Sequence, residues 1–187
     1  SKDFTRELLL EQEREGKAPA IRGEVKLVEQ NGLTLFTDKR NESGLAGKDL
    51  TQAIAAMLGR VNAGDYVAVN AFIEMSASTE QLLHQIRHKI RDQKNVATTV
   101  GFGPRFLHST GQLHKGGPNS ALVLQIVDQP ADNLAVPETD YTFDALIQAQ
   151  ALGDVAALKQ RRRRVLRINL GGDTAGGLQR LLGALRE

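Results

Sequence analysis

Residues 101 to 119 read GFGPRFLHSTGQLHKGGPN and carry most of the side chains that could do chemistry in this chain. Five glycines in the stretch permit close backbone approach and positive φ angles. Arg105, Ser109, Thr110, Gln112 and Lys115 add hydrogen-bond donors suited to an anion. Donors of this kind on a Gly-rich segment that follows a strand can cradle a phosphate. His108 and His114 are the candidates to position a hydroxyl or relay a proton, because imidazole titrates near neutrality. A purely structural reading stands beside this one. Gly, Pro and Asn shape turns without any ligand, and both histidines could serve backbone carbonyls. The stretch has neither GxGxxG spacing nor the GxxxxGK[ST] order, so it is no nucleotide signature.

Other constellations are weaker. His84 and His88 stand four apart on an expected helix, but the sequence there is HQIRH, not HExxH, and the expectation is a solvated charged face. His108 and His114 have no acidic residue between Gly101 and Asn119, so no metal and no cofactor is expected. The chain has no cysteine, which excludes disulfides, thiolate catalysis and Cys-ligated zinc. No GxSxG elbow singles out a nucleophilic serine. Arg161 to Arg164 reads as the solvated basic end of a helix, favoured by the helix dipole. Asp144 and Asp154 on that helix read as surface charges.

These residues need a scaffold, and the composition supplies one. With 41% hydrophobic and 25% charged residues, 187 residues suit one soluble domain with a real core. Aromatics are only 4%, so that core must be mostly aliphatic. The formal net charge of +2 is too small for a general nucleic-acid binder. No apolar run reaches the ~20 residues of a membrane span, and no signal peptide opens the chain. A cytoplasmic location is the default expectation.

The order of elements follows from periodicity. Residues 3 to 15 form an amphipathic helix with Phe4, Leu8 and Leu10 on one side, ended by Gly16 and Pro19. Residues 1 to 18 are therefore set apart as an N-terminal helix, and 19 to 187 as an α/β domain. Val25 to Val28 and Leu33 to Thr37, separated by Gln30-Asn31-Gly32, predict a hairpin. A loop spans Asp38 to Gly47, and a helix carries Leu50, Ile54, Met57, Leu58 and Val61. Tyr66 to Ile73 and Val96 to Val100 predict strands covered on both faces. Between them lies a helix with Ser78 as its cap and Leu82, Leu83, Ile86 and Ile90 as its stripe. After a loop at 101 to 119 come a strand at Ala121 to Val127, a helix at 142 to 159, a strand at Arg164 to Leu170 and a helix at 174 to 185. This alternation predicts an α/β layered domain with a mixed, mostly parallel sheet, an N-terminal helix and an edge hairpin.

The 101 to 119 motif closely resembles the C-terminal region of bacterial transaldolase/glucose-6-phosphate isomerase fusion proteins. GDYVAVNAFI at 64 to 73, ATTVGFGPRF at 97 to 106, YTFDALIQAQALGD at 141 to 154 and RRVLRINLG at 163 to 171 agree with it, so the resemblance covers nearly the whole chain. It implies interconversion of glucose 6-phosphate and fructose 6-phosphate, by proton transfer between C1 and C2 through an enediolate. It further implies that Lys2 matches a catalytic lysine of the family, which precedes a segment like Asp3 to Leu8. The DQ-containing turn ahead of that lysine is not in the chain, which starts at Ser1. The family's catalytic glutamate and the transaldolase barrel would lie upstream, in the same polypeptide. Neither His108 nor His114 matches the family's ring-opening histidine, because the surrounding motif differs.

Three expectations follow. The chain is a C-terminal segment of a sugar-phosphate enzyme whose 101 to 119 loop binds an anionic sugar phosphate or completes a site from an adjacent domain. Alternatively it is a non-catalytic scaffold or oligomerisation module, and a homo-oligomer is left open. The third is an independent phosphate-ligand regulator.

Overall fold

The structure is a computed structural model that describes residues 23–128, 134–139 and 141–185. The expected helix at 3 to 15, and Lys2 with it, lie outside the described residues.

The chain opens on strands β1 (Glu24–Gln30) and β2 (Leu33–Asp38), paired antiparallel with Gln30 opposite Leu33. Asn31 and Gly32 between them have φ of 53° and 72°. Positive φ at both central positions is the geometry of the tight hairpin turn, which is why Asn-Gly is found there. Within the stretch expected as loop, a short helix α1 (Lys39–Glu42) forms instead. The Asp38 carboxylate accepts from the Asn41 N–H at 2.8 Å and starts it, as an aspartate at a helix N-cap does.

Helix α2 (Leu50–Leu58) carries a reciprocal cap between Asp49 and Gln52 and buries Leu50, Ala53, Ile54, Met57 and Leu58. Strand β3 (Tyr66–Phe72) leads through helix α3 (Ala77–Lys94) to strand β4 (Ala97–Phe102). The cap of α3 is Ser76 and not Ser78, because the Ser76 hydroxyl accepts from the Thr79 N–H while Thr79 returns the bond. Beyond β4 the expected loop is ordered into a 3-10 turn (Arg105–His108) and a short helix α4 (Thr110–Gly116). Strand β5 (Ala121–Val127), helix α5 (Phe143–Gln160), strand β6 (Arg164–Asn169) and helix α6 (Thr174–Ala184) complete the domain.

The six strands lie in the order β1-β2-β6-β5-β3-β4. Strands β6, β5, β3 and β4 run parallel, and β2 joins β6 antiparallel. The mixed, mostly parallel layered α/β fold is thus what the alternation of elements implied. Side-chain alternation splits the core into two faces. Val67, Val69, Leu122, Leu124, Leu166 and Ile168 pack under α2, α3 and α6. Ala68, Val123 and Val165 on the opposite face pack against Ala149, Leu152, Val155 and Leu158 of α5.

β4 differs from expectation. It is an edge strand, with Ala97 and Thr99 exposed, rather than a strand covered on both faces. An apolar run alone does not tell edge from centre, because α3 covers only one face of it. From β3 the chain crosses by α3 to β4; from β5 it crosses by α5, on the other face, to β6. The connections therefore diverge between β3 and β5, and the loops at the C-terminal strand ends gather on one side of the sheet.

Candidate functional site

A cleft of about 410 Å³ opens at that side, along the C-terminal half of β4. Val100, Gly101 and Phe102 form its floor, Glu80 and His84 of α3 one wall, and Arg105, Phe106, Ser109 and Thr110 the other. Phe106 anchors the second wall. It is buried with Phe72, Val127 and Ala151, edge-on to Phe72 with ring centroids 5.5 Å apart. Anchoring Phe106 holds Arg105 at the surface, where its Nη1 contacts Met75 Sδ at 3.1 Å. His84 Nε2 lies 3.9 Å from Glu80 Oε1 one helical turn away. Nearby, His88 Nε2 accepts from Arg87 at 2.7 Å. Desolvation, then the positive charges of Arg87 and Arg91, hold the His88 pKa below its ordinary value.

Of the residues singled out in the motif, the structure brings Arg105, Ser109 and Thr110 to this one cleft. His108 and Gln112 are exposed and do not line it, and Gln112 donates to the Leu107 carbonyl. His114 and Lys115 are buried and turn the other way. Lys115 Nζ donates to Asp154 Oδ1 at 2.8 Å, so neither group matches its expected role. Lys115 is no exposed phosphate ligand, and Asp154 is no surface charge, because α4 packs directly on α5 and seals both inside.

The basic run is also corrected in part. Arg163 is buried and its Nη2 donates to the Lys115 carbonyl at 2.8 Å and to that of Gly117. Arg164 is paired with Asp65 at 2.7 Å, which holds the Asp65 carboxyl below the usual carboxylate range. Arg161 and Arg162 remain exposed, as the helix-end reading supposed.

The glycines of the motif serve packing more than ligand approach. A Cβ at Gly111 would lie 2.8 Å from the Phe106 carbonyl oxygen, and one at Gly117 would lie 2.7 Å from that of Leu113.

Tyr66 Oη and His114 Nδ1 share a hydrogen bond of 2.8 Å. Burial, then the neighbouring Lys115 charge, lower the His114 pKa. A histidine whose folded pKa is depressed contributes stability above its unfolded pKa of about 6.5. That stability is lost as pH falls from there through the folded value. The chain is therefore expected to lose unfolding free energy between about pH 7.5 and pH 5.5, with His114→Gln showing a flatter profile in urea titrations over the same range. Parallel profiles would contradict this.

The sequence does not single out Glu80 and His84 as a pair. Their four-residue spacing was legible, but only the packing of α3 along β4 places them opposite Arg105. Among the described residues no group of three or more His, Cys, Asp or Glu could hold a metal ion. None of the described helices is long and apolar enough to cross a membrane.

No protein-family model matches the chain. No curated protein matches it either. Among solved structures, a hypothetical protein from Thermus thermophilus is similar, with a TM-score of 0.57 at 19% identity. The likeness covers 79% of this chain and 40% of that one, so this chain spans less than half of that protein's length. At this identity the likeness concerns the fold.

Proposed function

We infer that the chain works as part of a cytoplasmic sugar-phosphate enzyme, with glucose 6-phosphate and fructose 6-phosphate as the ligand class. One observation carries this: Arg105, Ser109 and Thr110 converge on a single cleft at the C-terminal end of a parallel strand. A guanidinium can grip a phosphate through two parallel N–H bonds, and the Thr110 hydroxyl can add a third, whereas the Ser109 hydroxyl donates to the Phe106 carbonyl at 3.3 Å and must turn from it to join them. Glu80 and His84 on the facing wall are suited to sugar hydroxyls, as acceptor and as acceptor or donor. The resemblance to the transaldolase/glucose-6-phosphate isomerase fusion proteins points to the same ligands and to catalysis shared with upstream domains of one polypeptide. Lys115 has no part in this site.

The test is a titration of the chain with fructose 6-phosphate and with fructose, followed by amide chemical shifts. The phosphate ester should shift Gly101, Arg105, Ser109 and Thr110, and fructose should bind far more weakly. Arg105→Ala should weaken the phosphate ester by about ten- to a hundredfold, the worth of hydrogen bonds to a charged group. Equal affinity of the variant would exclude this cleft.

A second reading, a non-catalytic scaffold, is favoured by the buried His114, Lys115 and Arg163, which spend the most distinctive part of the motif on internal contacts. It expects no sugar-phosphate binding at millimolar ligand.

A further inference from the structure

Sulfur is scarce in this chain, which has two methionines and no cysteine. Met57 lies on the buried side of α2 and is 0% exposed. Met75 lies in the connection between β3 and α3 and is 46% exposed. A diffusing oxidant therefore meets one thioether and not the other. That thioether stands at the cleft. Met75 is part of its lining, and Met75 Sδ is 3.1 Å from Nη1 of Arg105, the single Lys or Arg of the lining. Among the described residues this sulfur is the only hydrogen-bond partner of the Arg105 guanidinium.

A thioether is a weak acceptor, so this contact leaves the guanidinium free to turn to an anion. Oxidation changes that, because it converts an apolar side chain into a polar one. A sulfoxide oxygen beside a guanidinium makes a charge-assisted hydrogen bond, roughly twice as strong as a neutral one. We propose that Met75 is the oxidation site of this chain, and that its sulfoxide binds Arg105 and closes the cleft to anions.

The oxidant class is a hydroperoxide, of which hydrogen peroxide is the simplest. A lone pair of Sδ attacks one peroxide oxygen; the S–O bond forms as the O–O bond breaks. Sulfur loses two electrons, and the departing hydroxide takes the proton of the transferred oxygen and leaves as water. Thioether and hydrogen peroxide thus give sulfoxide and water. The new oxygen sits on a sulfur already within reach of Nη1, and both side chains are at the surface, so a small turn joins them. A phosphate must then displace the sulfoxide to reach Arg105. The change is reversible, since dedicated reductases return methionine sulfoxide to methionine. Closure to a phosphate ester rests on the sugar-phosphate reading of the cleft, whereas the oxidation of Met75 and its hold on Arg105 do not.

The experiment treats the folded chain with limiting hydrogen peroxide and maps the added oxygen by peptide mass spectrometry, with circular dichroism to check folding. Met75 should be oxidised at least about tenfold faster than Met57. Labelling with phenylglyoxal, a guanidinium reagent, then reads Arg105 with no ligand present. It should slow about threefold or more at that residue in the oxidised chain. Affinity for fructose 6-phosphate should fall about tenfold on oxidation, the worth of one hydrogen bond to a charged group. Met75→Leu has no sulfur at that position, so peroxide should change neither its Arg105 labelling nor its affinity. Equal oxidation of the two methionines overturns the proposal. So does Arg105 labelling that is the same before and after, and so does a loss of affinity that Met75→Leu shares. An untreated chain that binds no fructose 6-phosphate sinks the sugar-phosphate reading instead, and the labelling then decides the hold of Met75 on Arg105 by itself.

Discussion

Replacing Lys115 with methionine is expected to cost about 3–5 kcal/mol of folding stability near neutral pH, the usual penalty for removing one partner of a buried ion pair. Asp154 is 2% exposed, and Lys115 Nζ, at 2.8 Å, is its hydrogen-bond partner. The second carboxylate oxygen, Oδ2, has none among the described residues. Methionine keeps the length of the lysine stem but leaves the carboxylate uncompensated between α4 and α5. Exchanging both residues, as Lys115→Met with Asp154→Leu, should recover most of the loss, since a buried pair often contributes little over a well-packed apolar one.

The pH dependence distinguishes this from simple loss of packing. Burial raises the Asp154 pKa, and the charge and hydrogen bond of Lys115 hold the rise in check. A carboxyl whose folded pKa is raised gives stability that is complete below its unfolded value of about 3.9 and is lost as pH rises through the folded value. Without Lys115 the rise is larger, so the deficit of the single variant should be small near pH 4 and full near about pH 7. Urea unfolding at the two pH values measures it. A deficit that does not change with pH would mean that the carboxylate was never left uncompensated.

The second large effect belongs to Gly103. An added Cβ there would sit 2.4 Å from Phe72 Cε1 and 2.5 Å from Cδ1. Phe72 is itself 2% exposed and wedged against Phe106, so its ring has little room to yield. The backbone is held too, because the Gly103 N–H donates to the Ala71 carbonyl at 2.7 Å. Gly103→Ala is therefore expected to destabilise by about 2–4 kcal/mol, an overpacking cost. Gly116→Ala is the matched control in the same motif: no atom lies within 4 Å of its added Cβ and its φ is not positive. That change should be neutral or slightly stabilising. Equal thermal shifts for the two variants would show that the Phe72–Phe106 packing does not constrain the segment.

Both predictions fall inside the motif read as a phosphate loop, and they show where that reading met its limit. Gly, His and Lys in GFGPRFLHSTGQLHKGG have donors and conformational freedom that suit an anion and suit internal packing equally well. Residue types do not say which way a side chain points. Arg105, Ser109 and Thr110 turn to a cleft, whereas His114 and Lys115, within one or two turns, face Tyr66 and Asp154. Helical periodicity does not separate these two sets either, because Thr110 and His114 stand four apart on one helical face and yet only Thr110 lines the cleft. The glycines and proline of the segment argue for a loop, whereas residues 105–108 and 110–116 are helical.

The sequence by itself determined what depends on neighbours along the chain. The alternation of strands and helices, the Asn31-Gly32 hairpin and the mostly parallel layered fold all follow from local periodicity and turn chemistry. Tertiary structure alone decided what depends on distant partners. It made β4 an edge, sealed Asp154 against Lys115, buried Arg163 under the motif and set Glu80 and His84 opposite Arg105. The physical reason is that burial and charge pairing are properties of surfaces brought together, whereas periodicity shows only that a surface is ready to be covered.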